Sequence, residues 1–307
     1  MKKLITLFCA VAALAACSKD DDARLSDIPK GMGTAVFAVS AQTAITTRAD
    51  ENKIELSALG VTVPTANEMT LTITPPEGGY NQMPENKFSY NGTVGDYNGE
   101  ENREARKRYI PASSEPYVAT LAWGNADEEG VNKAYFESRN ADGGMEQGFT
   151  VTSRVNSQVS MNARMVKAIV RINFTDEFKG YFANGAQMML TTGAGATFNV
   201  GYEADGTTEN VGTPFFVLAG EGKSFSIGGT AIKQRPSANI DPQQVAFTAV
   251  GRNGSSGNEV SEQTIYTYTF DVVDANYVTV TVDVNNEPLG EEIVGTEELN
   301  DDSVMDN

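Results

Sequence analysis

Val159-Ser160-Met161-Asn162-Ala163-Arg164-Met165-Val166-Lys167-Ala168-Ile169-Val170-Arg171-Ile172-Asn173-Phe174 carries two strand patterns in one run. Val159, Met161, Ala163 and Met165 are apolar at odd positions, whereas Val166, Ala168, Val170, Ile172 and Phe174 are apolar at even ones. Successive side chains of a strand point to opposite faces, so a one-residue change of phase swaps the buried face. Either a bulge sits at Met165-Val166, or the chain leaves one sheet there and enters another. The second choice divides the chain into a sandwich over 33–165 and another over 166–286.

The flanks carry the same period of two. Met69-Thr70-Leu71-Thr72-Ile73-Thr74 alternates apolar with Thr and stops at Pro75-Pro76, because proline has no N–H to give a ladder. Asn91-Gly92 supplies hairpin chemistry after Phe88 and Tyr90. Tyr117, Ala119, Leu121 and Trp123 line one face of a further strand, and Ala35, Phe37 and Val39 line the first one. Beyond the phase change, strands are expected around Met188–Thr191, Thr197–Tyr202, Pro214–Leu218 and Val245–Val250, after one helical turn in 176–183. The strongest pair closes the chain: Tyr266, Tyr268, Phe270 and Val272, then Val278, Val280, Val282 and Val284. No fixed period recurs, which argues against a solenoid or propeller. The fold class is therefore all-β, two tandem β-sandwiches. An acidic tail is expected over 287–307 and a polar break over 41–52.

The first residues decide location. Lys2 and Lys3, an apolar run from Leu4 to Ala13 and Leu14-Ala15-Ala16-Cys17 have the layout of a secretory signal peptide over 1–16. The run is too short to span a bilayer comfortably. Leu14 to Cys17 resembles a bacterial lipobox, which implies that Cys17 becomes the acylated (palmitate-bearing) first residue of the mature lipoprotein. Ser18-Lys19-Asp20-Asp21-Asp22 opens an acidic tether over 17–32. It looks like the signal that sends lipoproteins of Bacteroidetes-type bacteria to the outer face of the outer membrane.

Composition narrows the chemistry. The formal charge of −18 becomes −20 when Lys2 and Lys3 leave with the signal. Such a surface is repelled by nucleic acid and by anionic lipid. The 2 cysteines are Cys9, inside the signal, and Cys17, committed to lipid, so the mature chain has no disulfide. With no His in the chain, the commonest general base, the Ser-His and Cys-His dyads and the usual zinc site are excluded. Paired carboxylates or a Ser-Lys arrangement would remain for an enzyme. Gly222-Lys223-Ser224 has Val217 where a phosphate loop needs Gly, and Gly193-Ala194-Gly195 has Phe198 where a dinucleotide fingerprint needs its third Gly. Glu203, Asp205 and Glu209 miss the spacing of a calcium loop. Trp123 and the tyrosines suit sugar stacking chemically, but at strand spacing they read as core. The expectation is no catalytic residue, no metal and no cofactor.

From Tyr117 onward the order of features becomes specific: Tyr117 to Gly124, Lys133 to Glu137, Gly148 to Val151, Gln158 to Met161, Ala168 to Phe174 and Asp176 to Phe182. In layout this resembles the fimbrillin-like surface lipoproteins of Bacteroidetes-type bacteria. The resemblance implies tandem transthyretin-like sandwiches with a structural or adhesive role, as a fimbrial-type subunit or anchor. It also implies processing after an Arg that follows the first strand, and Thr47-Arg48-Ala49 stands there. The implied partners are the outer membrane, fimbrial subunits and host or bacterial surface ligands. The alternative is a surface glycan-binding lipoprotein of a nutrient-uptake system.

Overall fold

The computed structural model describes residues 28–46, 53–65, 68–74, 76, 86–90, 97–98, 110–138, 147–232, 244–248, 252–253, 260–273, 277–285 and 287–293. Strands dominate, with one α-helix, Asp176–Tyr181, among the described residues. The fold is all-β.

Three large sheets carry it. The first is nine-stranded and runs in the order Tyr97–Asn98, Asn86–Tyr90, Thr70–Thr74, Ser113–Trp123, Phe136–Ser138, Asn156–Met165, Met32–Ala41 and Ile110–Pro111, with Gln147–Val151 also paired to Ser113–Trp123. The second runs Glu287–Ile293, Tyr277–Val284, Ile265–Val273, Ala168–Phe174, Phe215–Val217 and Gly130–Val131. The third runs Thr208–Glu209, Thr197–Glu203, Gly185–Thr192, Ser224–Ile232 and Gln244–Thr248, with Arg252–Asn253 also on Ser224–Ile232.

The phase change marks a crossing between sheets. Asn156–Met165 ends in the first sheet and Ala168–Phe174 starts in the second, with Val166 and Lys167 between them. Val159, Met161, Ala163 and Met165 lie in one apolar core, while Ala168, Val170, Ile172 and Phe174 lie in the other. That second core is shared by the second and third sheets, which contribute Tyr268, Phe270 and Val280 on one side and Met188, Leu190 and Ile227 on the other. Two sheets joined by alternating inward residues make a β-sandwich. Phe178 and Phe182 plug its end, both fully buried, with their rings 4.7 Å apart. The Thr175 hydroxyl caps their short helix by accepting from the Phe178 N–H at 3.1 Å.

The two cores are not sealed off from one another. Ile169, Phe216 and Ile265 project from the second sheet into the first core. Gly130–Val131, which precedes the phase change by more than thirty residues, pairs with Phe215 and Phe216 of the second sheet. The halves are interlocked, so a cut in sequence at 165/166 does not cut the packing.

Three expectations need amending. Residues 287–307, read as an acidic tail, begin as a strand: Glu287–Ile293 pairs antiparallel with Tyr277–Val284. The polar stretch 41–52 includes Ala44–Thr46, paired with Lys53–Glu55, and Ile45 is buried. The tether is held before residue 32, for Ile28 is buried and the Gly31 N–H donates to Ser153 Oγ at 2.9 Å. In the first two cases a strand close by in sequence recruits the segment into an antiparallel pair, and in the third the partner is distant.

Candidate functional site: the seat of the first strand

Met32–Ala41 lies parallel to Asn156–Met165 in an eight-residue register from Thr34 opposite Asn156 to Ala41 opposite Ala163. Among the described residues its other edge is paired only at Met32 and Gly33, with Pro111 and Ile110. From Thr34 onward this strand is therefore an edge of the sheet. Parallel neighbours cannot be joined by a tight turn, so the strand and its seat come from opposite ends of the N-terminal half.

The period of two decides what it buries. Ala35 and Phe37 point inward at 2% and 3% exposure, while Ala38 and Ser40 face solvent. The Phe37 ring meets Phe149 edge-on at 5.5 Å, and Phe149 stacks on Tyr117 at 5.6 Å. Burial of one such aromatic ring is worth about 2–3 kcal/mol. Tyr117 Oη donates to the Pro111 carbonyl at 2.9 Å, which gives the buried phenol its partner.

Both ends are pinned. At the start, the Arg154 N–H donates to the Met32 carbonyl at 2.6 Å and the Ala112 N–H to the Gly31 carbonyl at 2.9 Å. Gly33 is required by close approach: a Cβ there would stand 2.5 Å from the Thr152 carbonyl oxygen and 2.6 Å from Val151 Cγ1. At the end, the Gln42 N–H donates to the Ala163 carbonyl at 2.8 Å. The Gln42 side-chain amide accepts from the Met165 N–H and donates to the Ala44 carbonyl and to Gln263 Oε1. Gln42 thus ties the exit of the first strand to both halves.

Cys17, Ser18, Lys19, Asp20, Asp21, Asp22 and Arg48 lie outside the described residues. Residues 47–52, which include Arg48, connect Thr46 to Lys53, and those two residues are cross-strand partners. Sequence reading missed the Gln42 anchor. An amide between two apolar strands is the signal that marks it.

The other motifs resolve as turns or core. Asp205 Oδ1 accepts from the Thr207 N–H at 2.8 Å, which holds its carboxyl below the usual range, and Glu203 Oε1 accepts from Gln187. Asp205 thus serves a hairpin turn and Glu203 a cross-strand contact. Among the described residues no group of three or more Asp, Glu, His or Cys is placed to hold a metal ion. Gly220 and Gly222 form the turn before Ser224–Ile232, a strand that its Gly228-Gly229 pair conceals from propensity reading. Trp123 packs against Phe136 at 5.9 Å. The large exposed apolar side chains among the described residues are Val155 and Met189, and neither is aromatic. No helix is long and apolar enough to cross a membrane among the described residues.

An all-β chain with this seat is matched over residues 35–296 by the model of a family described as a domain of unknown function, DUF4493. The chain belongs to that family. No curated protein matches it. Among solved structures, a candidate cell adhesion protein from Bacteroides uniformis is similar at 10% identity, covering 83% of this chain and 97% of its own, with a TM-score of 0.38. A polysaccharide-binding candidate from Bacteroides thetaiotaomicron is similar at 7% identity, 85% and 98% coverage and a TM-score of 0.33. The fimbrial anchor protein Mfa2 from Porphyromonas gingivalis is similar at 10% identity, 84% and 99% coverage and a TM-score of 0.28.

Proposed function

We propose that this chain is a non-enzymatic surface lipoprotein, anchored in the outer membrane by acyl chains on Cys17 and serving a structural or adhesive role as a fimbrial-type anchor. One observation carries the reading: the first strand is an edge strand among the described residues, seated parallel on Asn156–Met165, and the link from Thr46 to Lys53, which follows it after the short Ala44–Thr46, contains Arg48. Cutting that link separates 17–48, and with it the lipid on Cys17, so the uncut chain is the anchor and the cut chain the form that accepts a strand. The strands lost are Met32–Ala41 of the first sheet and Ala44–Thr46 of a separate two-stranded pair. Loss of the segment uncovers a groove lined by Val159, Met161 and Phe149, with the N–H and C=O groups of Asn156–Ala163 free to pair with an added strand.

The other end of the chain favours an anchor over a polymerising subunit. Glu287–Ile293 is already paired in its own sheet, and its Ile293 is opposite Thr279. Donating it to a neighbour requires giving up that ladder first, and Glu291 and Glu292 bring two charges into any groove it enters.

An Arg-specific protease tests the proposal. Treatment of the purified precursor cuts after Arg48, and the cut protein takes up a synthetic peptide corresponding to residues 32–41. Cutting that unfolds the first sheet, with no peptide uptake, shows the first strand to be ordinary core and removes the fimbrial part of the reading. Replacing Cys17 with Ser tests anchoring separately: the variant leaves the membrane fraction, and continued retention with no change in mass overturns it. Alanine at Asp20, Asp21 and Asp22 keeps the lipid but hides the protein from protease added to intact cells.

A further inference from the structure

The crossing between the sheets contains a charged residue that the second strand's pattern leaves polar, and that is nonetheless buried. Lys167 sits between Met165 and Ala168, is 2% exposed, and among the described residues has no carboxylate in contact with its amine. A buried amine normally requires full hydrogen bonding. Here it donates to three main-chain carbonyls of one loop: Asn125 at 2.7 Å, Lys133 at 2.8 Å and Glu128. The Tyr135 ring lies 5.9 Å from the same nitrogen.

The loop so gathered, 124–135, reaches across to the other half at two further points. Gly130 and Val131 extend the second sheet by pairing with Phe216 and Phe215. The Glu129 carboxylate accepts from the Leu218 N–H at 2.8 Å through one oxygen and from the Thr192 hydroxyl at 2.6 Å through the other. Its start is fixed by Gly124, at φ 90°, where a Cβ would stand 2.4 Å from the Ala134 carbonyl oxygen. The Asp127 N–H then donates to Asn125 Oδ1 at 3.1 Å, closing a turn.

We infer that the loop 124–135 is a clasp between the two halves and that the Lys167 amine is its internal ligand, occupying a carbonyl cage built for a primary alkylammonium. Without the amine, three carbonyls directed at one point lose their shared donor, and the contacts of Gly130, Val131 and Glu129 with the second and third sheets are left to order the loop alone. Lys167 is thus a positioning residue: it acts on the junction through the loop. The Val166–Lys167 crossing alone is a two-residue tether, whereas the clasp adds a second connection some forty residues away in sequence.

The test uses the full chain carrying Cys17→Ser. In the unaltered clasp the Leu218 amide is protected from hydrogen exchange, and in Lys167→Met that protection is lost while the Met161 and Phe270 amides, within the two sheets, keep theirs. Lys167→Ala lacks the four terminal heavy atoms of the side chain, which are those of propylammonium. Propylammonium at 100 mM restores Leu218 protection in Lys167→Ala, and tetramethylammonium at the same concentration, which has no N–H to donate, does not. Unchanged Leu218 protection in Lys167→Met, or equal effects of the two cations, overturns the inference. A measurement without substitution keeps it falsifiable if the variants fail to fold: with 15N-labelled lysine, the Lys167 amine gives a slowly exchanging signal coupled to three protons at pH 6. Solvent-like exchange there also overturns it.

Discussion

The two halves of the molecule open with strands of similar sequence pattern and opposite standing. Met32–Ala41 and Ala168–Phe174 each alternate apolar residues, and each lies parallel to a strand late in its own half, Asn156–Met165 and Ile265–Val273 respectively. The later strand nonetheless starts between two neighbours: Ala168–Val170 pair with Phe215–Val217, and Ile169–Phe174 pair with Ile265–Phe270. It is also buried on both faces at its start, with Ala168 and Val170 in one core and Ile169 in the other. The earlier strand has one full neighbour and one exposed face. A strand in the centre of a sheet is part of the fold, whereas a strand at its edge is a guest that another can replace. Replaceability is thus a property of position in the sheet, and period-two sequence is silent about it.

The comparison breaks first at its stronger side. Val170→Asp places a carboxylate in a fully buried position between two paired neighbours, and burial of an unpaired charge costs several kcal/mol at least. The expected outcome is loss of the folded protein, read as exposed-core dye binding and a missing thermal transition. Phe37→Ala removes a ring from the edge strand and costs about 3–5 kcal/mol by the usual range for such truncations. That variant remains folded at low temperature, and Arg-specific cutting releases its residues 17–48 faster than in the parent. Equal release rates would mean that Phe37 does not hold the strand in its seat.

How far these standings are legible in the sequence differs from residue to residue. The odd-to-even change at Met165-Val166 is visible because a period of two makes a one-residue slip unmistakable. The crossing it marks is real, yet Gly130–Val131 gives no warning that it belongs to the second sheet, since two residues are too few to show a period. Lys167 looks like an ordinary polar position of an alternating strand, and only the carbonyls of a loop thirty-odd residues earlier make it buried. Ser224–Ile232 hides behind Gly228 and Gly229, which meet the Met188–Met189 backbone so closely that a Cβ at Gly229 would stand 2.3 Å from the Gln187 carbonyl oxygen. Local pattern reports which face is apolar, and only the assembled sheets report what covers it.

A smaller effect sharpens the account of the seat. Gly33→Ala adds one methyl against the Thr152 carbonyl and Val151, at distances that oblige the backbone to shift. Overpacking of this kind costs about 1–3 kcal/mol. Because it acts at the one point where the first strand is paired on both sides, its effect should appear as faster exchange of the Arg154 and Ala112 amides, which bond to Met32 and Gly31. Exchange unchanged at those two amides would show that the start of the strand is not the pinned end.

The last expected effect concerns the clasp, and its sign follows from linkage. Burial of the Lys167 amine lowers its pKa from 10.5 to about 8, opposed by the charges of Glu128, Glu129 and Asp127 and assisted by that of Lys133. Below pH 8 the folded and unfolded chains both hold this proton, and the cost of burying the charge is borne in full. Between about 8 and 10.5 the unfolded chain holds it while the folded chain has released it, so stability rises with pH in that window. One proton sets a ceiling of about 1.4 kcal/mol per pH unit on the slope. The rest of an acidic, tyrosine-containing chain also titrates at alkaline pH, which is why the quantity to measure is a difference. Urea midpoints of the parent and of Lys167→Met, taken from pH 7 to pH 10, should move apart in favour of the parent once pH passes 8. A difference that stays flat or shrinks means that the folded chain keeps this proton above pH 8, the three carbonyls outweighing burial, and the lowered pKa is then wrong.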